Sequence, residues 1–125
     1  MTSQLFSPFT MREMTLENRI VVSPMCQYSA KDGSATDWHL MHLGQYAVSG
    51  VALVITEATA VEPRGRITPG CAGLYSDENE EALARVMAFA RDYGQAKMGI
   101  QLAHAGRKAS CHRPWEGRHP LGEGE

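Results

Sequence analysis

Five consecutive apolar residues, Val51-Ala52-Leu53-Val54-Ile55, constrain this chain more than any other feature. A strand with one face in water alternates apolar and polar residues, whereas an unbroken apolar run is the pattern of a parallel strand covered on both sides. Helices must then flank it, and the neighbouring segments supply them. Upstream, Ile20, Val21 and Val22 form a β-branched run within residues 18–25. This predicts a strand buried on both faces and ended by Pro24, which has no backbone donor. After the polar turn Lys31-Asp32-Gly33-Ser34, Thr36 or Asp37 caps a predicted helix with Leu40, Leu43 and Ala47 on one face and Gly50 just past its end. Beyond a Pro/Gly/Arg-rich connection, Ser76 or Asp77 opens a second helix. Glu80 is placed there for a capping box, Leu83, Val86, Met87 and Ala90 fall at helical spacing, and Gly94 closes the helix. Residues 98–102 predict a third strand, followed by a polar tail.

The order β-α-β-α-β requires a parallel sheet, either doubly wound or closed as a barrel. Periodicity does not choose between the two. A dinucleotide-binding fold places a glycine-rich loop after its first strand, but Pro24-Met25-Cys26-Gln27 has no glycine, and Gly65, Gly70 and Gly73 do not form G-x-G-x-x-G. A barrel is favoured. Three strands cannot close a (β/α)8 barrel of roughly 250 residues, so residues 1–125 are expected to be the N-terminal part of a single barrel domain. The final Leu121-Gly122-Glu123-Gly124-Glu125 reads as the middle of a loop.

Composition removes several classes of function. The 125 residues carry a formal charge of −2, too weak a field for general binding to nucleic acid or to an anionic membrane. The longest apolar run is too short to cross a bilayer, and no secretory leader is evident, so a cytoplasmic protein is expected. Cys26, Cys71 and Cys111 are odd in number and widely spaced, which disfavours a zinc site or a disulfide framework. His39 and His42 stand at i,i+3 without a third ligand, so they read as polar-face or packing histidines and no metal site is expected. Glu57 and Glu62 have no evident carboxylate partner for glycosidase-type chemistry. Arg107, Lys108, Arg113 and Arg118 read as one solvated loop.

Sites in parallel α/β folds form at the C-terminal ends of the strands. Here the first strand delivers Pro24, Met25, Cys26 and Tyr28, the second Thr56, Glu57 and Ala58, and the third Gln101, His104, Arg107 and Lys108. A thiol, a phenol, a small residue, an amide and cations together make a plausible cofactor wall. Taken singly, each has a plainer meaning. Cys26 fits a small buried hydrophobe, Ala58 a packing residue, Gln101 an amide serving loop backbone, Tyr28 an interfacial aromatic and His104 a loop-internal hydrogen bonder.

In combination these segments carry more. The run N-R-I-V-V-S-P-M-C-Q-Y, the second-strand end T-E-A-T-A-V with P-R-G-R-I-T-P-G, and Q-L-A-H-A-G-R-K-A-S occur in order between residues 5 and 118. They resemble the Old Yellow Enzyme family, and the cysteine after Pro24-Met25 resembles its bacterial branch of xenobiotic reductases and thermophilic-like ene-reductases. That resemblance implies a TIM barrel, non-covalent FMN, NAD(P)H as reductant, and activated alkenes such as enones as substrates. It implies that Ser23, Pro24 and Met25 run along the flavin and that Cys26 tunes its potential. It further implies that Ala58 allows close approach, that Gln101 bridges the polar ring edge, and that Tyr28 lines the substrate pocket. The carbonyl-binding pair and proton donor are expected outside this chain. A complementary chain supplying the remaining strands, and a homo-oligomer of the complete protein, are expected partners. The alternative is an inert fragment that serves only in assembly.

Overall fold

The computed structural model describes residues 3–124. Two short strands come first, β1 (Phe9–Met11) and β2 (Met14–Leu16), paired antiparallel with Thr10 opposite Thr15. This hairpin has no counterpart in the sequence reading. Its two-residue turn places Arg12 at φ 53° without the Asn-Gly or Asp-Gly pair that normally advertises such a turn.

The main sheet is parallel, with order β3 (Val21–Val22), β4 (Leu53–Ala60), β5 (Lys97–Ala103). Helices α1 (Asp37–Ala47) and α2 (Asp77–Tyr93) are the connections. Leu43 from α1, Val54 from β4 and Val86 from α2 form the buried centre, with Val22, Leu40, Met87 and Met98 packed around it. The first strand is much shorter than residues 18–25 and is not buried on both faces. Val21 is 45% exposed: β3 pairs with β4 over two residues only, and the hairpin residues Phe9, Met11 and Leu16 border an open pocket beside it. The second strand begins at Leu53 rather than Val51 and runs on to Ala60, so Thr56, Glu57 and Ala58 lie within it. Its unbroken apolar run is also covered less evenly than expected. Val54 is fully buried against the helices, while Leu53 and Ile55 are half-buried on the opposite face.

Thr36 and Ser76 stand at the N-caps of α1 and α2; Ser76 caps through its own hydroxyl, whereas at α1 the His39 ring accepts from the Thr36 amide. The expected capping box with Glu80 does not form. Ser76 Oγ accepts from the Asn79 amide, since Asn79 occupies the third helical position and Glu80 falls one residue too late. Asn79 is 2% exposed, and its side-chain amide donates to the Asp32 carbonyl and to Ser34 Oγ, at 2.9 and 3.0 Å. It thereby fastens the start of α2 to the turn before α1. At the far end, a Cβ on Gly94 would meet the Ala47 carbonyl oxygen at 2.6 Å, so the ends of the two helices approach through a glycine. Among the described residues, no helix is long and apolar enough to cross a membrane.

Candidate cofactor wall at the strand ends

The sheet register sets the site. Leu53 and Val54 pair with Lys97 and Met98, and Ile55 and Thr56 with Gly99 and Ile100; the next pair is Ala58 with Gln101. Glu57 is skipped, which makes it the extra residue of a β-bulge. Val54 and Thr56 face the helices, and the bulge sends Glu57 to the same side, where it is 5% exposed. Ala58 therefore returns to the opposite, open face directly beside Gln101. Gln101 is exposed, and its amide has no hydrogen-bond partner among the described residues. It presents a donor and an acceptor side by side.

Cys26 joins them from the end of β3. Burial pushes its thiol pKa up, and the Glu57 carboxylate and Cys71 add to that, while a hydrogen bond from the Ala58 backbone works against them. The thiol thus stands close to Ala58 and remains protonated over a wider pH range than a free cysteine. Ser23 and Met25 are exposed, and Pro24 is half-buried. The loop carrying them is folded on itself: Gln27 Nε2 donates to the Met25 carbonyl at 2.8 Å, and Gln27 Oε1 accepts from Trp38 Nε1 at 2.8 Å.

Tyr28 has a left-handed backbone, φ 53°, and its ring meets Trp115 edge-on at 5.9 Å. Its hydroxyl is held above the usual phenol pKa by burial first and by Cys26 second, with Arg118 opposing. A cavity of about 340 Å³ opens beside it, lined also by Lys108, Cys111, His112 and Arg118. The basic segment is thus not wholly a solvated loop. Arg113 Nε donates to the Tyr28 carbonyl at 3.4 Å and Arg113 Nη1 meets Glu116 at 3.2 Å, so this arginine ties the tail to the first strand's loop.

The histidines separate. His104 Nδ1 accepts from the Gly106 amide at 3.0 Å within its own loop, and its Nε2 meets Glu62 Oε1 at 2.6 Å, which ties the loop after β5 to the loop after β4. His42 packs edge-on against Tyr46, and burial lowers its pKa. His39 is 2% exposed on the inner side of α1, beside Glu57. Cys71 carries no motif, and neither its burial nor its nearness to Cys26 and Tyr28 is legible without the fold.

The sequence profile of the NADH:flavin oxidoreductase / NADH oxidase family matches residues 4–119, and the chain belongs to this FMN-dependent family. It is 54% identical over 114 residues to an NADH:flavin oxidoreductase of Gibberella zeae, covering 91% of this chain and 27% of that protein. An NADPH dehydrogenase of Bacillus cytotoxicus is 50% identical over 114 residues, covering 90% of this chain and 33% of its own length. The fold superposes on the crystal structure of Old Yellow Enzyme from Pichia sp. AKU4542 with a TM-score of 0.78 and 29% identity, over 86% of this chain and 28% of that one. The three parallel strands and two helices are therefore an arc of a TIM barrel, open among the described residues. The chain spans about a third or less of the length of these relatives.

Proposed function

We propose that this chain forms one wall of the flavin site of an NAD(P)H-dependent ene-reductase, as the N-terminal part of a single barrel domain. The observation that carries the proposal is the pairing of Ala58 with Gln101 on the open face of the sheet, with the Cys26 thiol against the Ala58 backbone. A planar ring needs a small residue where backbone must come close and a mixed donor and acceptor along its polar edge, and these residues fit that need. When bound, FMN supplies a ring that accepts hydride from NAD(P)H and returns it to the β carbon of an electron-poor alkene such as an enone.

The chain's own residues position and polarise. Ser23, Pro24 and Met25 offer backbone along the ring, and Gln101 holds its polar edge. Cys26, kept as a neutral thiol, offers a weak donor whose dipole alters how readily the ring takes charge. Tyr28 and the cavity beside it receive the substrate, with the phenol available as a hydrogen-bond donor over a wide pH range.

The remaining strands come from a complementary segment or chain. Val21 on one edge strand is 45% exposed, and Ile100 and Leu102 on the other are 39% and 59% exposed, so both edges of the sheet carry apolar residues that suit burial against further barrel elements. Assembly is thus a function of this segment in its own right. The assembled barrel, containing this chain and its complement, is the material to test: it should be yellow, bleach with NADPH under anaerobic conditions, and regain colour with cyclohexenone. An assembled barrel that never binds FMN overturns the proposal.

A further inference from the structure

Behind the wall, on the helix side of β4, three polar side chains meet in a closed space. His39 Nδ1 accepts from the Thr36 amide at 2.9 Å, which puts the ring proton on Nε2. Nε2 lies 3.0 Å from Glu57 Oε1, yet the two are not aligned as a hydrogen bond, and Nε2 has no partner of good geometry among the described residues. Thr56 Oγ1 is equally buried and equally unmatched. Thr56 comes just before the bulge and Glu57 is the bulged residue, so both point to the same side as His39. All three line one cavity of about 20 Å³, together with Thr59, Leu43 and Ala72.

Two unpaired polar atoms in a dry space would each carry the full desolvation penalty of an unsatisfied group. A cavity holds a water once about 10–15 Å³ is open to its centre, provided two to four polar partners are within reach. This cavity meets both conditions. The other oxygen of the same carboxylate, Glu57 Oε2, accepts from the Gln27 amide at 3.3 Å, one residue beyond Cys26.

We propose that His39, Thr56 and Glu57 hold one internal water, and that this unit positions the Cys26-Gln27 segment from behind the cofactor wall. The water accepts from His39 Nε2, donates to Glu57 Oε1 and exchanges a hydrogen bond with Thr56 Oγ1. The carboxylate is thereby held so that its second oxygen meets the Gln27 amide and its charge stays beside Cys26. His39, Thr56 and Glu57 are positioning residues, and their effect on the flavin depends on Cys26 belonging to its wall.

A high-resolution crystal structure of the assembled barrel should show one ordered water within hydrogen-bond distance of His39 Nε2 and Thr56 Oγ1. Thr56→Val keeps the shape and removes the hydroxyl; the Gln27 amide should then exchange with deuterium about tenfold faster, the effect of losing one ordinary hydrogen bond, while Thr56→Ser restores slow exchange. Glu57→Gln keeps an acceptor for Gln27 but removes the charge, so the pH midpoint for alkylation of Cys26, read site by site by mass spectrometry, should fall. A cavity without ordered water overturns the water site, and unchanged exchange in Thr56→Val or an unmoved midpoint in Glu57→Gln overturns the positioning role. FMN binding by the unsubstituted barrel is scored separately, so a failure of the flavin proposal is distinguishable from a failure of this one.

Discussion

The backbone of Gly70 lies against the carbonyl of Tyr28 so closely that a Cβ on Gly70 would stand 2.4 Å from that oxygen and 2.7 Å from Arg113 Nε. Gly70 also accepts from the Ala30 amide at 2.9 Å, so it cannot simply swing away. A glycine some forty residues downstream thus fixes the backbone of Tyr28, the residue proposed to line the substrate pocket. Gly70→Ala should cost the assembled barrel about 1–3 kcal/mol, the usual range for overpacking. On the proposed function, its enone KM should rise more than its kcat falls, because Tyr28 is displaced while Gln101, proposed to hold the flavin edge, is untouched. Thermal unfolding and steady-state kinetics check the two halves.

Asn79 offers a second test. Both amide hydrogens are used, on Asp32 and Ser34, and its oxygen accepts from the Tyr75 amide at 3.3 Å. Asn79→Leu matches the volume but strands these groups in a buried place, and should destabilise by roughly 1–3 kcal/mol in denaturant unfolding. A change below about half a kcal/mol would mean that water replaces the amide.

Leu43 is 5% exposed and touches the centre of the core. Leu43→Ala should lower stability by about 2–5 kcal/mol. Because the cavity it opens adjoins His39 and Thr56, hydrogen exchange along β4 should rise as well.

Cys26→Ala removes the thiol while leaving the Ala58-Gln101 pair in place. The flavin should still bind, and its reduction potential should shift. An unchanged potential removes the tuning role.

Acid should loosen the tie between the loop after β4 and the loop after β5. The hydrogen bond from His104 holds the Glu62 carboxyl below its ordinary value of 4.5, and Arg64 adds to this. A carboxylate whose folded pKa is lowered contributes stability above its unfolded pKa and loses it as pH falls through the folded value. Glu62→Gln should therefore flatten the acid limb of the stability curve below about pH 4.5 and leave the neutral plateau little changed, since the group is solvent-exposed. Denaturant midpoints across pH check this.

The helices were legible because their signals are local: Thr36 and Ser76 are capping residues, and Leu43 and Val86 fall at helical spacing. Ala58 and Gln101 could be placed at strand ends, but their pairing depends on a register that a bulge shifts by one, and nothing in T-E-A announces the bulge. Residues 18–25 misled because β-branched composition reports a preference for extended backbone, whereas strand length is decided by how many partners a neighbour offers. Glu57 read as a free acid at a strand end. Only the bulge shows that it is buried and turned toward His39.

That bulge makes the spacing of this strand a matter of counting as well as of chemistry. Removing Glu57 alone would regularise the strand and leave Ala58 beside Gln101, whereas straightening the strand with Glu57 kept would put the acid on the open face and move every later residue to the other side. An ungapped alignment with a relative that lacks the bulge would equate residues from opposite sides of the sheet. Redesigned barrels that regularise the strand would lose the offset that sets an alanine, and not an acid, beside Gln101.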